Sequence, residues 1–525
     1  MNLFSKIAIS LSGGGFRASA FHLGVLGYLH SLKLGEENLL QKVRVLSTNS
    51  GGTITGLLYA QHVYSDKPFE VFYHKLYKIL KEDQLFEAAL TNIRTTGSWN
   101  STTKRRNLIN AFAEYYHTEL FEGATFDIFL KQHNRLETVI FNATEFNHGL
   151  PFRFQNNGKF GNRYFDLPLP VKSKIRLGDI LAASSCFPGG FEPLKMPDDF
   201  GSFPEDQIHK YWKDLQKEPV AIMDGGIVDN QGINSILLEE TRSKETISTF
   251  IVSDVQQWPG PFEFGTDTTS GWMQRWSLRR LFSTIKWSLI MSLLITVIAI
   301  LSVFFTNNLL LKTGAILILI LSVSTLTLSI VASVIKSCIV TPVRKTLDKL
   351  VGKKQTSFWQ NLDFILELPF TLLWDLLKQR GSSFLKIISD IFMNRISAMQ
   401  IQEVLFDEKW RGRSLHCNIG FLLEEKKQPI RLSAQLKEMI TTAGKMDTSL
   451  WFKDEHVKNK MLDKLIICGQ VTLNYNLTEY IDQYRTDPKN KITPDEDRLL
   501  GDLYIKLHED WVLFNKDPKW LINQY

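Results

Sequence analysis

Short apolar runs alternate with longer helix-like segments through residues 1–260. Lys6–Leu11 is one such run, and Val43–Thr48 is another that precedes the helix-like segment Ile54–Ala60. Short apolar runs bounded by turn residues are typical of buried strands, whereas longer patterns with a period near 3.6 are typical of helices. Strands and helices that alternate along the chain predict a layered α/β domain.

Two long uncharged segments interrupt this pattern, at residues 287–305 and 313–335. Each approaches or exceeds the ~20 residues that a helix needs to cross the hydrocarbon core of a bilayer. The connection at residues 306–312 is short enough to require a helical hairpin. We therefore predict two transmembrane helices. The alternative is a buried hairpin in a globular core, but core helices seldom remain uncharged over such a length.

The charges around the hairpin predict its orientation. Basic residues flank it on both outer sides: Arg275, Arg279, Arg280, Lys286, Lys336, Arg344, Lys345 and Lys349. The connection holds only Lys312. Because basic loops remain in the cytoplasm, both termini and both polar parts of the chain are expected there.

Small and hydroxyl residues recur at helical spacing in both spans. The two faces consist of Ser288, Ser292, Thr296 and Ala299, and of Ser322, Thr325, Ser329 and Ser333. Such faces allow close packing and hydrogen bonds between helices. They favour packing within one hairpin, and the alternative is a homo-oligomer joined through hairpins of different subunits. Neither span contains a charge, so an anchor is expected rather than a pore.

Two apolar segments with sparse charges follow the hairpin, at residues 364–377 and 384–393. Both are too short or too interrupted to span a bilayer. They fit helices that lie on the cytoplasmic leaflet, or ordinary helices packed on the core.

Composition excludes several classes of protein. Of the 525 residues, 44% are hydrophobic and 22% charged, which argues against disorder and fibrous repeats. A net charge of +6 is too small to indicate a nucleic-acid partner. The four cysteines lie far apart, so neither a disulfide framework nor a structural zinc site is expected. The apolar run near the N-terminus is too short for a signal peptide and predicts a first strand.

A glycine loop follows the first predicted strand, in Ser12-Gly13-Gly14-Gly15-Phe16-Arg17. Consecutive glycines between a strand and a helix expose backbone N–H groups, and the helix N-terminus adds partial positive charge. The loop is therefore a candidate site for a phosphate or an oxyanion. It lacks the Gly-Lys-Ser/Thr ending of a nucleotide-binding loop.

The next strand leads into a candidate nucleophile, Ser50, within Thr48-Asn-Ser50-Gly51-Gly52. A serine flanked by small residues at a strand-to-helix turn is the arrangement of a nucleophile elbow. Thr48 replaces the first glycine of the usual G-x-S-x-G pattern, and a purely structural Ser-Gly-Gly turn is the alternative.

The candidate base is Asp224, at the end of a predicted strand and before Gly225-Gly226. A carboxylate held against a serine hydroxyl can accept its proton as the serine attacks. A structural aspartate in a tight turn is the alternative. Asp229 is a rival by position, and His22 is expected to pack or to support the site.

Together these motifs resemble the patatin-like phospholipases, which are serine acyl hydrolases with a Ser/Asp dyad. The glycine loop, the elbow and Asp224-Gly225-Gly226 occur in the family's order. Between them, Thr138–Thr144 resembles the family's middle strand, and Ala182–Pro193 resembles the stretch that precedes the aspartate. The resemblance implies a three-layer α/β/α hydrolase fold into which the two-helix hairpin is inserted.

The resemblance also implies a mechanism. Ser50 would attack an acyl ester while Asp224 accepts its proton, and water would then hydrolyse the acyl-enzyme. Backbone N–H groups of Gly13, Gly14, Gly15 and Gly51 would hold the oxyanion. Arg17 would support the loop or meet a lipid phosphate. Neither a metal nor another cofactor is required.

The expected division of the chain is a catalytic part at 1–264, a membrane insertion at 265–395 and a C-terminal part at 396–525. Arg411–Phe421 has the pattern of a strand, so the last part is expected to complete the catalytic domain. A separate helical domain is the alternative.

The expected function is hydrolysis of phospholipids or lysophospholipids by an enzyme anchored in the bilayer. The alternatives are an esterase or acyltransferase with other acyl donors, and an inactive membrane scaffold. Because an uncontrolled phospholipase would damage its own membrane, regulation by assembly or by a ligand is also expected.

Overall fold

The computed structural model describes residues 3–82, 84–95, 99, 101–131, 133, 135–215, 218–257, 262, 276–351, 367–423 and 431–525. The chain divides into two compact units, Met1–Pro259 with Ser389–Tyr525, and Gly260–Ile388.

A mixed sheet lies at the centre of the first unit. The strands are β1 (Ile7–Leu11), β2 (Lys33–Leu34), β3 (Glu37–Asn38), β4 (Val43–Asn49), β5 (Thr138–Glu145), β6 (Leu150–Gln155), β7 (Leu194–Met196), β8 (Val220–Asp224), β9 (Thr249–Asp254) and β10 (Ser414–Asn418). Among the described residues, eight strands form the sheet in the order β10-β9-β1-β4-β5-β8-β7, with β6 also paired to β5. β10, β9, β1, β4 and β5 run parallel, and β6, β7 and β8 pair in antiparallel fashion. The short β2 and β3 form a separate ribbon.

Helices cover both faces of this sheet. Before the second unit they are α1 (Gly15–Ser31), α2 (Gly51–Tyr64), α3 (Phe69–Glu82), α4 (Leu85–Arg94), α5 (Leu108–Tyr115), α6 (Leu169–Lys172), α7 (Leu177–Ser184), α8 (Gln207–Leu215), α9 (Gly226–Asp229) and α10 (Ile233–Ser243). In β1, Ala8 packs with α10, whereas Ile7, Ile9 and Leu11 face the larger core that contains α1 and α2. The fold is therefore α/β, as the sequence pattern predicts, with the three layers that the resemblance implies.

The second unit contains the two long apolar helices. They are α11 (Leu278–Phe305) and α12 (Leu309–Val351), followed by α13 (Phe370–Lys386). Residues 282–305 and 309–334 are long and apolar enough to cross a membrane. The connection is only 306–308, shorter than the expected 306–312, because the helical pattern of α12 begins at Leu309.

The hydroxyl faces of this hairpin meet each other. Thr296 Oγ1 donates to Ser322 Oγ at 3.0 Å, and Ser288 Oγ lies 3.1 Å from Ser329 Oγ. Packing within one hairpin is the arrangement that the sequence pattern favoured.

The part of the chain after the second unit returns to the first. It contains α14 (Met393–Phe406), β10, α15 (Ala434–Gly444), α16 (Asp454–Lys458), α17 (Met461–Thr486) and α18 (Pro494–Lys516). Of the two expected helices, residues 370–377 lie in α13, and residues 384–393 run from the end of α13 through a π-helical turn at Ile387–Phe392 to the start of α14. Residues 367–369 precede α13, and 364–366 lie outside the described residues.

Two glycines allow α17 to cross α1 closely. A Cβ atom at Gly24 would lie 2.1 Å from the Ile466 carbonyl oxygen, and one at Gly469 would lie 2.2 Å from the Phe21 carbonyl oxygen. The backbones of the two helices are therefore in direct contact. The helix that starts at the glycine loop is supported by the C-terminal part of the chain.

Candidate active site

Ser50 occupies a sharp turn between a strand and a helix. β4 ends at Asn49 and α2 begins at Gly51, and Ser50 between them has φ 48° and ψ −120°. Such a conformation is strained for a residue with a side chain and persists only where its surroundings enforce it. The Ser50 N–H donates to Ser184 Oγ at 2.9 Å, which helps to hold the turn. The backbone at Ser50 therefore has the geometry of a nucleophile elbow.

Thr48 fits this turn although the usual elbow has glycine at its position. Its hydroxyl hydrogen-bonds with Thr53 Oγ1 at 2.9 Å. Its methyl group faces Gly56, where an added Cβ atom would lie only 2.3 Å from Thr48 Cγ2. The absence of a side chain at Gly56 on α2 therefore makes room for the Thr48 side chain.

The glycine loop packs directly against the elbow. A Cβ atom at Gly51 would lie 2.1 Å from the Gly15 carbonyl oxygen. Gly14 and Gly15 have φ values of 143° and 60°, which glycine adopts without steric cost. Among the described residues neither N–H donates to a protein acceptor, and both lie at the N-terminus of α1, where the helix dipole is positive.

Gly13 differs from its neighbours in the loop. Its N–H donates to the Asn230 carbonyl oxygen at 2.9 Å, so this group is not free to bind an oxyanion. Of the expected oxyanion donors, those whose N–H groups have no acceptor in the described part of the chain are Gly14, Gly15 and Gly51.

Asp224 ends β8 and is almost completely buried. Its Oδ1 accepts the Gly226 N–H at 2.7 Å. Burial raises the pKa of Asp224 to about 6, although the Gly226 N–H and the Ser50 hydroxyl both oppose the rise. Oδ2 accepts no hydrogen bond of ordinary geometry from the described residues, yet the Ser50 hydroxyl is close enough to influence the pKa. The structure therefore brings Ser50 and Asp224 together.

Glycines beside Asp224 make this approach possible. A Cβ atom at Gly225 would lie 2.4 Å from Asn49 Oδ1 and 2.8 Å from the Asn142 carbonyl oxygen. With a side chain at position 225, the end of β8 could not approach the end of β4 so closely.

Asn230 also lies at this centre, a place that the sequence pattern alone does not predict. A Cβ atom at Gly13 would lie 2.4 Å from Asn230 Oδ1 and 3.1 Å from Ser50 Cβ, and one at Gly226 would lie 2.8 Å from Asn230 Oδ1. Its side chain has no hydrogen-bond partner within the described ranges. The one feature of the sequence that points to Asn230 is its position six residues after Asp224, in the same short segment as Gly225 and Gly226.

Asp229, the rival by position, and His22 both have structural contacts. Asp229 accepts the N–H groups of Ile233 at 3.1 Å and Asn234 at 2.9 Å, so it caps α10. His22 bonds to Ser253 Oγ at 2.7 Å and to the Ser12 carbonyl oxygen at 2.9 Å. Burial lowers the pKa of His22 to about 4, so the imidazole is neutral at physiological pH.

Arg17 lies inside the protein beside the glycine loop. Its guanidinium donates to the Met446 carbonyl oxygen at 2.5 Å and to Thr448 Oγ1 at 3.0 Å. Burial lowers the pKa of Arg17 to about 10, so it remains charged at neutral pH. Arg17 thus connects α1 to the segment Met446–Phe452. Of its two expected roles, support of the glycine loop or contact with a lipid phosphate, these hydrogen bonds correspond to the first.

A small apolar cavity adjoins Ser50. Its volume is about 20 Å³, which is close to the space of one water molecule. Its apolar lining includes Ile54, Leu85, Ile109, Phe112, Leu450 and Trp451. The Trp451 ring also packs on Phe86, with 4.7 Å between centroids. Little room therefore remains beside the nucleophile in this conformation.

No group of three or more His, Cys, Asp or Glu side chains suited to a metal ion occurs among the described residues.

Comparison with protein-family models matches residues 9–237 to the model described as Patatin-like phospholipase. The matched span contains the glycine loop, the elbow and Asp224-Gly225-Gly226. Comparison with curated protein sequences gives no match.

Proposed function

Because the chain carries a patatin-like phospholipase domain, and thus a lipid acyl hydrolase domain, we propose that it is a membrane-anchored serine hydrolase. Its proposed substrates are the fatty-acyl esters of phospholipids or lysophospholipids. The observation that carries the proposal is the convergence of a strained Ser50, a buried Asp224 and free loop N–H groups at one point.

In the proposed mechanism, Ser50 Oγ attacks the ester carbonyl carbon while Asp224 accepts the hydroxyl proton. The carbonyl oxygen becomes an oxyanion that the N–H groups of Gly14, Gly15 and Gly51 stabilise. Each such donor is typically worth about 3–4 kcal/mol in the transition state. Asp224 then protonates the departing alcohol, which leaves an acyl-Ser50 ester. Water hydrolyses this ester with Asp224 as base, which releases the fatty acid and restores Ser50.

The lining of the cavity beside Ser50 supports an apolar acyl group. Ile109 and Phe112 from α5 face the nucleophile together with Ile54 from α2. A long acyl chain needs more than the present volume, so its binding requires lining side chains to move apart.

The proposed anchor is the hairpin of α11 and α12. Its two spans are apolar, and large side chains such as Trp287 and Phe304 remain exposed in this unit. Burial in lipid would remove this apolar surface from water. We also propose that both termini are cytoplasmic and that hairpins of different subunits can associate in a homo-oligomer. Chemical cross-linking in native membranes tests that assembly.

The proposed division of the chain places 396–525 with 1–264 in one catalytic domain, interrupted by an insertion at 265–395. The pairing of β10 with β9 and the contact of α17 with α1 support it.

The decisive experiment measures fatty-acid release from mixed phospholipid vesicles by the purified chain. Ser50→Ala and Asp224→Ala are expected to abolish the release that the wild type shows, because each removes one member of the dyad. Ser47→Ala, which changes a buried serine on the same strand that bonds to Gly232, is the matched control. Activity that survives Ser50→Ala would refute the assignment. Acyl transfer to an added alcohol without net fatty-acid release would favour the acyltransferase.

A further inference from the structure

Within the described residues, β10 forms one edge of the sheet, and a cavity of about 1060 Å³ follows it. Its floor includes Ser414, Leu415, His416 and Asn418. α14 supplies one wall and α17 the other, so the cavity is a groove between the two helix layers. Small-molecule pockets usually have volumes of about 300–1,000 Å³, so a groove of this size suits an extended ligand.

The hydrogen bonds between β10 and β9 fix the direction of each backbone group. The Arg413 carbonyl oxygen accepts the Phe250 N–H at 2.7 Å, and the Ile419 N–H donates to the Asp254 carbonyl oxygen at 2.9 Å. In a parallel ladder, the residues of one strand that bond to its neighbour alternate with residues whose groups point away. Leu415 and Cys417 therefore bond to β9.

The alternate residues of β10 present their backbone groups to the groove. These are Ser414, His416 and Asn418, whose outward N–H and C=O groups have no protein partner among the described residues. An edge of this kind is a template for a further strand.

The two walls differ in chemistry. On α14 the lining is mainly apolar: Ala398, Ile401 and Leu405. On α17 it combines aromatic, amide and acidic groups: Tyr475, Asn476, Glu479, Tyr480 and Gln483. Asn476 is only 6% exposed, and its Nδ2, beside the Cys417 thiol, makes no hydrogen bond of ordinary geometry with the described residues. No lysine or arginine of the described chain lines the groove.

We propose that this groove binds an extended peptide segment of a partner protein, which joins the sheet beside β10 as an additional strand. Side chains alternate between the two faces of a strand. The segment recognised here therefore alternates apolar residues, which contact Ile401 and Leu405, with basic residues, which contact Glu479 and the tyrosine rings. Binding at this groove does not depend on hydrolysis at Ser50.

The test measures fluorescence anisotropy of a labelled peptide of alternating valine and lysine with the full-length chain in non-ionic detergent. The control peptide has the same sequence but N-methyl groups on alternate residues, so it keeps its charge and loses backbone donors. N-methylation is expected to weaken binding by about tenfold or more, because several backbone hydrogen bonds are lost. Glu479→Lys is expected to weaken it by about fivefold or more through charge repulsion. Glu509→Lys, an exposed glutamate on α18 outside the groove, should leave it unchanged.

Hydrogen exchange locates the bound peptide. Addition of the parent peptide is expected to slow exchange of the amides of Ser414, His416 and Asn418. Equal affinity of the N-methylated peptide, binding without this protection, or absence of binding by the parent peptide would each overturn the proposal. None of these outcomes bears on fatty-acid release, so the proposal stands or falls separately from the proposed hydrolysis.

Discussion

Burial at the end of β8 tunes Asp224 for proton transfer. Loss of hydration raises the pKa of its carboxyl group from 3.8 to about 6, while the Gly226 N–H and the Ser50 hydroxyl limit the rise. A general base is most effective when its pKa lies near the working pH, because it is then both ionised and sufficiently basic. A fully exposed aspartate would be ionised but a weaker base.

The rate of ester hydrolysis should therefore rise with pH through about 6 and level off above it. Below this pH the folded protein holds Asp224 in the protonated form, which cannot accept the Ser50 proton. This rise is the acidic limb of the pH profile. Measurement of kcat/KM for a soluble short-chain ester between pH 4.5 and 8 checks its position, since kcat/KM reports the ionisation of groups in the free enzyme. A rate already at its plateau at pH 5 would contradict the assigned role of burial.

Asn230→Asp should move this limb to higher pH. A second carboxylate beside Asp224 disfavours ionisation of the first and raises its pKa by about one unit or more. The backbone carbonyl that holds Gly13 is unchanged by the substitution, so the effect reports on the side chain. The same pH profile measures it.

The matched control for this experiment is Asn234→Asp. Asn234 lies on α10, where its N–H donates to Asp229. The control should leave the limb in place. A limb that does not move in Asn230→Asp would show that the Asn230 side chain does not act on the dyad.

Sequence reasoning selected Ser50 and Asp224 because each follows a short apolar run and precedes glycines, and the structure brings these two residues together. It could not select Asn230 or exclude the N–H of Gly13. Both depend on how the loop after α9 folds back on the loop after β1, which residue spacing does not encode.

The segment Met446–Phe452 reaches the site from a distant part of the sequence. The Ser449 carbonyl oxygen accepts the Phe16 N–H at 2.9 Å, and a Cβ atom at Gly15 would lie 2.0 Å from the same oxygen. Leu450 and Trp451 line the cavity beside Ser50. The same segment therefore supports the glycine loop and lines the cavity beside the nucleophile.

Trp451→Ala should increase the initial rate with a short-chain ester severalfold. The substitution removes a large ring from the lining of the cavity and so gives the substrate more room, but it leaves the backbone contact at Ser449 in place. Trp511→Ala is the control, because Trp511 packs on Tyr475 rather than at the cavity. A rate that falls, or one that matches the control, would contradict this effect of the Trp451 ring on the room for substrate.

At the level of helices and strands, long uncharged runs and strand-to-helix turns were readily predicted. The apolar helices α11 and α12 and the β4–α2 turn are examples. The order of strands in the sheet was not predictable in the same way. β8 pairs antiparallel with β5, although β6, β7 and the helices α6 to α8 lie between them in the sequence. Long-range packing therefore decides the place of β8, and with it the place of Asp224.

After the second unit, the chain re-enters the first unit close to the place where it left it. Gln256 donates a hydrogen bond to Asn394, so the two sequence segments that border Gly260–Ile388 lie near each other in the first unit. A flexible linker of about ten residues has a root-mean-square span of about 17 Å, which is enough to join such neighbours. The first unit can therefore be connected without the hairpin.

Replacement of Gly260–Ile388 by this linker should release the chain from membranes while hydrolysis of a soluble short-chain ester continues. The reason is that the residues around Ser50, including those of Met446–Phe452, all belong to the first unit. Alkaline carbonate extraction measures attachment, and ester hydrolysis measures the catalytic unit, with Ser50→Ala in the same background as the control. If the shortened chain remained in the membrane pellet, the hairpin would not be the anchor. If it folded but lost activity that the intact chain shows, the hairpin would contribute to catalysis as well as to attachment.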